Sequence, residues 1–275
     1  MLLPVLVFGG LAFVGPLFMV GHLSLFDTNY VVSKYVGLRN FVAMFSDRYF
    51  VRSLSNAFWY IIFVMPLLTF LSYKSALLLA SMNKRAATAG RFMFYIPALT
   101  AGIIISLVWR WIYAREGLAN WIISSLGLPV VSFFSDQWAA RIAISIIIIS
   151  MSMGSYSIVM FAGIKAIPKE LHDAARIDGA SDRQYRRFVI TPLMVPTILL
   201  VALLTMISAT QIWETVYWMT NGGPGGYTAS PIFDIYLTGF QNGHYGLASA
   251  KSIFVMVLIA LVSLGKNRVE KWAST

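Results

Sequence analysis

The chain is 275 residues long, 58% hydrophobic, 15% aromatic and only 12% charged, with a formal net charge of +10. Soluble domains are about 45–50% apolar and about 25% charged, so the expected solvent for most of this chain is lipid. The basic excess then belongs to loops flanking membrane spans rather than to a nucleic-acid surface, and the absence of cysteine excludes a disulfide framework and any thiolate metal site.

A helix needs about 20 mostly apolar residues to cross the hydrocarbon core. Six runs qualify, at roughly 2–25, 54–82, 92–114, 138–164, 193–219 and 246–265. Backbone polar groups in lipid must be satisfied within their own segment, so each run is read as a helix. The expected fold is all-α: one membrane domain over residues 1–275, a bundle of six transmembrane helices. Residues 2–25 have no basic segment before them and five spans after them, which favours a span over a cleaved signal peptide. The chain starts so close to that span that a short basic leader is expected upstream.

Lys and Arg set the orientation. Lys84, Arg85 and Arg91, then Lys165, Lys169, Arg176, Arg183, Arg186 and Arg187, then Lys266, Arg268 and Lys271 fall on one side. The opposite loops carry Lys34, Arg39, Arg48, Arg52 and Arg115. Twelve against five predicts that both termini and the 165–192 loop are cytoplasmic, in a multi-pass membrane protein.

The densest charge lies in that loop, where residues 170–188 read ELHDAARIDGASDRQYRRF. Pro168 suits a helix start, and Glu170 and Asp173 favour its positive end. Ala174 and Ala175 allow another surface to approach closely. Gly179 supplies a left-handed stop, and Ser181 with Gln184 forms a capping box that begins a second helix at once. The local expectation is an amphipathic helix–turn–helix at the membrane face, feeding through Pro192 into the fifth span.

The order of residues in this loop closely resembles the cytoplasmic EAA loop of ABC importer permeases. The family pattern is Glu-Ala-Ala, three residues, Gly, nine residues, then Ile-x-Leu-Pro. Here it reads Asp173-Ala174-Ala175, Gly179, then Val189-Ile190-Thr191-Pro192, with Asp for Glu, Val for Ile and Thr for Leu. Gly37-Leu38-Arg39-Asn40-Phe41, Trp109-Arg110-Trp111, Gly117-Leu118-Ala119-Asn120, Thr220-Asn221-Gly222-Gly223-Pro224 and Tyr245 to Ala250 also resemble the carbohydrate-uptake branch. Within that branch the chain looks like the first of two unlike permeases.

The resemblance implies a permease subunit that is not itself an enzyme and binds no cofactor, with ATP and Mg held by two separate ATPase subunits. The first short helix of the loop would be the coupling helix, with Glu170, Leu171, Asp173, Ala174, Ala175, Asp178 and Gly179 at the ATPase contact. Further implied partners are a second homologous permease and an extracytoplasmic solute-binding protein contacting the 220–245 loop. The chain carries no G-x-x-x-x-G-K-[ST] and no H-E-x-x-H. Its three histidines, His22, His172 and His244, are widely spaced, and His172 is read as a surface group at the partner interface.

Polar residues within spans are costly and point to function. Ser152, Ser155 and Tyr156 share one helical face in the fourth run, and Thr205, Ser208 and Gln211 do so in the fifth, leading to Trp213 and Glu214. Hydroxyls and amides beside aromatics suit a sugar, and the family resemblance places sugar contacts near Ser152, Ser155, Thr205 and Ser208. The same residues also serve as glue between membrane helices, and both readings stand at this point. Lys74, Lys251 and Arg110 lie in or near spans. They are read either as snorkelling or paired groups or as the basis of an anionic substrate, such as a uronate oligosaccharide or a sugar phosphate. The second functional class is an ion-coupled secondary transporter; no internal repeat is visible, and Glu214 is the only acid inside a run. The third, a membrane enzyme, lacks a catalytic constellation.

Overall fold

The computed structural model describes residues 9–273. The start of the predicted first span and the basic side chains of the tail lie outside the described residues. The chain is mostly helical. A π turn leads into α1 (Gly15–Leu23). A short antiparallel hairpin follows, β1 (Phe26–Thr28) with β2 (Ser33–Tyr35), registering Phe26 opposite Tyr35. Its turn is closed by Asn29 Oδ1, which accepts the Val31 and Val32 amides. This hairpin was not expected within a loop.

After α2 (Arg39–Ser46), Asp47 caps α3 (Arg48–Ser81) by accepting the Tyr49 and Phe50 amides. At 34 residues, α3 is about 50 Å long, well beyond the roughly 30 Å of a bilayer core. α4 (Lys84–Leu99) and α5 (Gly102–Ile112) meet at 93°, so the predicted 92–114 run is not one straight helix. Pro97 removes a donor from the last turn of α4, and Thr100 and Ala101 are extended.

α6 (Leu118–Ser125) precedes α7 (Gln137–Lys165), which is capped by Asp136 and runs alongside α3. α8 (Lys169–Ile177) and α9 (Asp182–Tyr185) form the helical pair of the 165–192 loop, followed by a π turn at Arg186–Ile190. α10 (Thr191–Leu193) joins that stretch to α11 (Val195–Thr210) across a 63° bend. The predicted 193–219 run is broken again before α12 (Glu214–Met219). The chain ends with α13 (Pro231–Tyr236), a further π turn, and α14 (Tyr245–Ala273).

Among the described residues, two helices, α3 and α7, are long and apolar enough to span, or up to four if each bent pair counts as one span. The core has two main centres. Tyr60, Ile144, Ile147, Val216 and Phe233 fill the half nearer the 220–245 loop, and Ala76, Met160, Met194 and Val201 fill the half nearer the 165–192 loop. The many large apolar side chains left exposed, such as Phe63, Phe70 and Leu78 on α3, fit a surface bathed in lipid.

Candidate functional site

Three groups of side chains stand out, one at each end of the bundle and one between. At the 165–192 end, α8 has no buried residue; Leu171 is 40% exposed and Ile177 is 86% exposed. The helix ends as its residues dictate. Gly179 has φ +76°, the Ala180 amide donates to Ala175 O at 2.9 Å, and the Gly179 amide donates to Arg176 O at 3.1 Å. This is the paired-bond stop that a glycine with positive φ permits. Ser181 and Gln184 then form the expected capping box. The second arm is anchored, since Tyr185 packs on the inner core and Ile190 and Met194 belong to it. His172, expected at a partner surface, stacks edge-on against Tyr185 at 5.0 Å and so links the two arms.

Midway, the two polar faces predicted on the fourth and fifth runs meet at a single bond: Tyr156 Oη and Ser208 Oγ are 3.0 Å apart across α7 and α11. Thr205 is buried and donates to Ala202 O of its own helix. Ser152 and Ser155 are half-buried. Gln211 and Trp213 lie in the break that precedes α12. Trp213 stacks on Tyr217 at 5.4 Å, and its shielded Nε1 has no hydrogen-bond partner among the described residues. Glu214 is exposed, and its carboxylate lies directly against Gly102, the first residue of α5. Two helix breaks distant in sequence are thereby brought together, an arrangement that spacing along the chain does not announce.

At the 220–245 end, two buried cations brace the structure. Arg141 donates to Tyr227 O at 2.9 Å and bonds Asn56 Oδ1, and its guanidinium packs against the Trp59, Trp138 and Tyr227 rings. Asn56 in turn donates to Gly226 O and Ala229 O. Lys251 is fully buried and donates to Asp47, Asp234 and Thr238, each at 2.7 Å. Burial raises the Asp47 carboxyl, but the Lys251 hydrogen bond and charge and the Tyr49 and Phe50 amides outweigh it and hold it below its ordinary value. At Asp234 burial dominates, and with the Asp47 charge adding to it the carboxyl sits above its ordinary value despite Lys251.

Sequence reasoning passed over Asn56 and Arg141. The signal was available as an arginine in the second turn of a long apolar helix. Lys251 was noted as a possible anion contact; the structure instead commits it to two carboxylates. Arg110, also noted, donates to Trp218 O at 3.3 Å.

Residues 1–274 match the family described as the binding-protein-dependent transport system inner membrane component. The chain is 32% identical over 242 residues to the trehalose/maltose transport system permease protein MalF of Thermococcus litoralis, covering 85% of this chain and 79% of that protein. It is 30% identical over 249 residues to the sn-glycerol-3-phosphate transport system permease protein UgpA of Agrobacterium fabrum, covering 87% and 82%. A crystal structure of a bacterial ABC transporter involved in the import of the acidic polysaccharide alginate contains a chain that superposes with a TM-score of 0.84 at 23% identity, covering 100% of this chain and 95% of that one. With its family match running almost end to end, the chain belongs to the inner membrane components of binding-protein-dependent transport systems.

Proposed function

We propose that this chain is one of two unlike permease subunits of an ATP-driven importer that moves a sugar or oligosaccharide into the cytoplasm. Six spans place both termini and the 165–192 loop on the cytoplasmic side. α8 is the coupling helix, docking in a groove of a separate ATPase subunit that holds ATP and Mg. A solute-binding protein delivers substrate to the 220–245 side. Closure of the ATPases moves α8, and the anchored second arm carries that displacement into α11 as a rigid-body shift.

The observation that carries this is α8 itself. It is a charged amphipathic helix with Leu171 and Ile177 exposed and no residue buried, joined to the anchored second arm through the Gly179 stop and the Ser181 cap. Among the described residues, none buries Leu171 or Ile177, as expected of a helix that docks on a partner. Similarity to a permease named for trehalose/maltose supports a sugar cargo. Ser152, Ser155, Tyr156, Thr205, Ser208, Gln211, Trp213 and Glu214 are the proposed pathway residues. The groups closest to the breaks are hydroxyls, an amide, an indole and one carboxylate, and Lys251 is already paired, so Lys251 gives no support to an anionic cargo.

The test is purification of the tagged chain from its native membranes in mild detergent, with mass spectrometry of what accompanies it, beside Gly179→Asp. Co-purification of a P-loop ATPase and a second permease, with the variant losing the ATPase or its coupled activity, supports the proposal. A chain that purifies alone and transports in liposomes without ATP overturns it in favour of an ion-coupled transporter.

A further inference from the structure

Beside the coupling arms lies a cavity of about 690 Å³ that the transport reading does not use. One wall is the last three turns of α3, with Tyr73, Lys74 and Leu78; the other is the second arm, with Arg183, Arg186, Arg187 and Thr191. The walls are tied by a 2.8 Å hydrogen bond between Tyr73 Oη and Thr191 Oγ1. Asp182 is the one acid lining it. None of the four cations is within ion-pair distance of a carboxylate among the described residues, where the recorded ion pairs belong to His172 and Lys251. The neighbouring cavity of about 470 Å³ differs, balancing Lys165, Lys169 and Arg186 with Asp173 and Asp182.

We propose that the cavity framed by Lys74, Arg183, Arg186 and Arg187 binds the phosphate group of an acidic membrane lipid. Four cations against one acid around one cavity, Arg186 being shared with its neighbour, suit a phosphate diester, and guanidinium groups match phosphate oxygens in pairs. Depth favours a lipid over free phosphate. Lys74 stands seven residues before the end of α3 at Ser81, about 10 Å along the helix axis, so the cavity reaches from the loop end into the apolar 54–82 run. The cations also sit beside exposed apolar surface. Lys74 lies over the Phe70 ring at 5.3 Å and Arg187 over the Phe188 ring at 5.6 Å, and both rings are more than half exposed. Leu78 on the rim and Leu193 just beyond it are also exposed. Charged heads around a cavity with bare aromatics beside them suit one molecule with a phosphate and two hydrocarbon tails. Basic pockets between spans on the cytoplasmic side take acidic headgroups in this way. A lipid seated there touches both α3 and the second coupling arm, so it would stiffen the joint through which α8 moves. The proposal rests on the cytoplasmic side assigned above to the 165–192 loop, and not on the identity of the cargo.

The test is native mass spectrometry of the purified full chain, with whatever subunits accompany it, after detergent delipidation and addition of phosphatidylglycerol or phosphatidylcholine. Retention of phosphatidylglycerol over phosphatidylcholine is expected. It should fall on the order of 100-fold in Lys74→Gln/Arg183→Gln/Arg187→Gln, since each cation near an acidic lipid contributes about a factor of five. Lys74→Arg keeps the charge and should retain the lipid, and single Lys74→Gln and Arg183→Gln variants give a graded loss if the triple variant misfolds. Equal retention of the two lipids, undiminished retention in the variants, displacement by millimolar inorganic phosphate, or crosslinking of Arg183 to an ATPase subunit in place of lipid would each overturn the proposal. Lipid retention is read without transport, so it can fail while the importer assignment stands, and the reverse.

Discussion

Lys251 Nζ donates a 2.7 Å hydrogen bond to Asp234 Oδ2, a residue of another helix, and does so from a position with no solvent exposure. The same ammonium reaches Asp47, the residue that caps α3, 204 positions away. One side chain thus joins the start of α3, the short helix α13 and the last helix α14. Removing a single partner from such a cluster strands charge in a poor solvent.

Lys251→Met should therefore destabilise the protein by about 3–5 kcal/mol, because two carboxylates lose their counterion. Adding Asp234→Asn to it should recover part of that loss. Thermal unfolding in detergent, followed by intrinsic fluorescence, compares the three proteins. Equal midpoints for Lys251→Met and the unaltered chain would remove the brace from consideration.

Acid should act on this cluster through Asp47. Its carboxyl is held below the ordinary value of 3.8, so the folded state binds its proton less readily than the unfolded state does. The stability it contributes is fully present above that value and is lost as pH falls through the lower folded value. Asp234 is raised, so its charged form costs stability, and that cost is relieved as pH falls through its folded value. The stability gap between the unaltered chain and Asp47→Asn should shrink below about pH 4, while the gap for Asp234→Asn should not shrink in the same way. Unfolding midpoints from pH 3 to 7 decide it.

Arg141→Lys is not a conservative change here. The guanidinium holds Asn56 and Tyr227 O and packs against three rings, a geometry that an ammonium cannot copy. Loss of charge-assisted bonds of this kind costs about 1.5–3 kcal/mol each. We expect a lower unfolding midpoint and loosening of the glycine-rich 222–226 segment that Asn56 also holds. Faster hydrogen exchange in that segment is the direct readout.

Tyr156 and Ser208 should couple. Tyr156→Phe and Ser208→Ala each remove the same 3.0 Å bond, so the double variant should lose less than the sum of the singles, with each single costing about 0.5–1.5 kcal/mol. If the pair also lines the substrate path, KM for transport should shift by more than the stability change accounts for. A KM that does not move assigns the pair to holding α7 against α11.

The lipid-bathed helical character of this chain follows from sequence alone, because composition and run length depend on nothing but the order of residues. The shape of the 165–192 loop does too. A glycine with φ +76° and a Ser181–Gln184 box act within a few residues of themselves, and the structure has both. The breaks at 100–101 and 211–213 were not visible in the same way. Hydrophobic runs measure how apolar a segment is, not whether its backbone stays straight. Nor could sequence say that Glu214 rests against Gly102 or that Lys251 serves Asp47 and Asp234 rather than a substrate. An ionisable group inside a span can equally snorkel, pair or bind cargo, since each outcome meets the same need for a polar partner. Which partner it finds depends on which helices become neighbours, and that is settled only when the bundle packs.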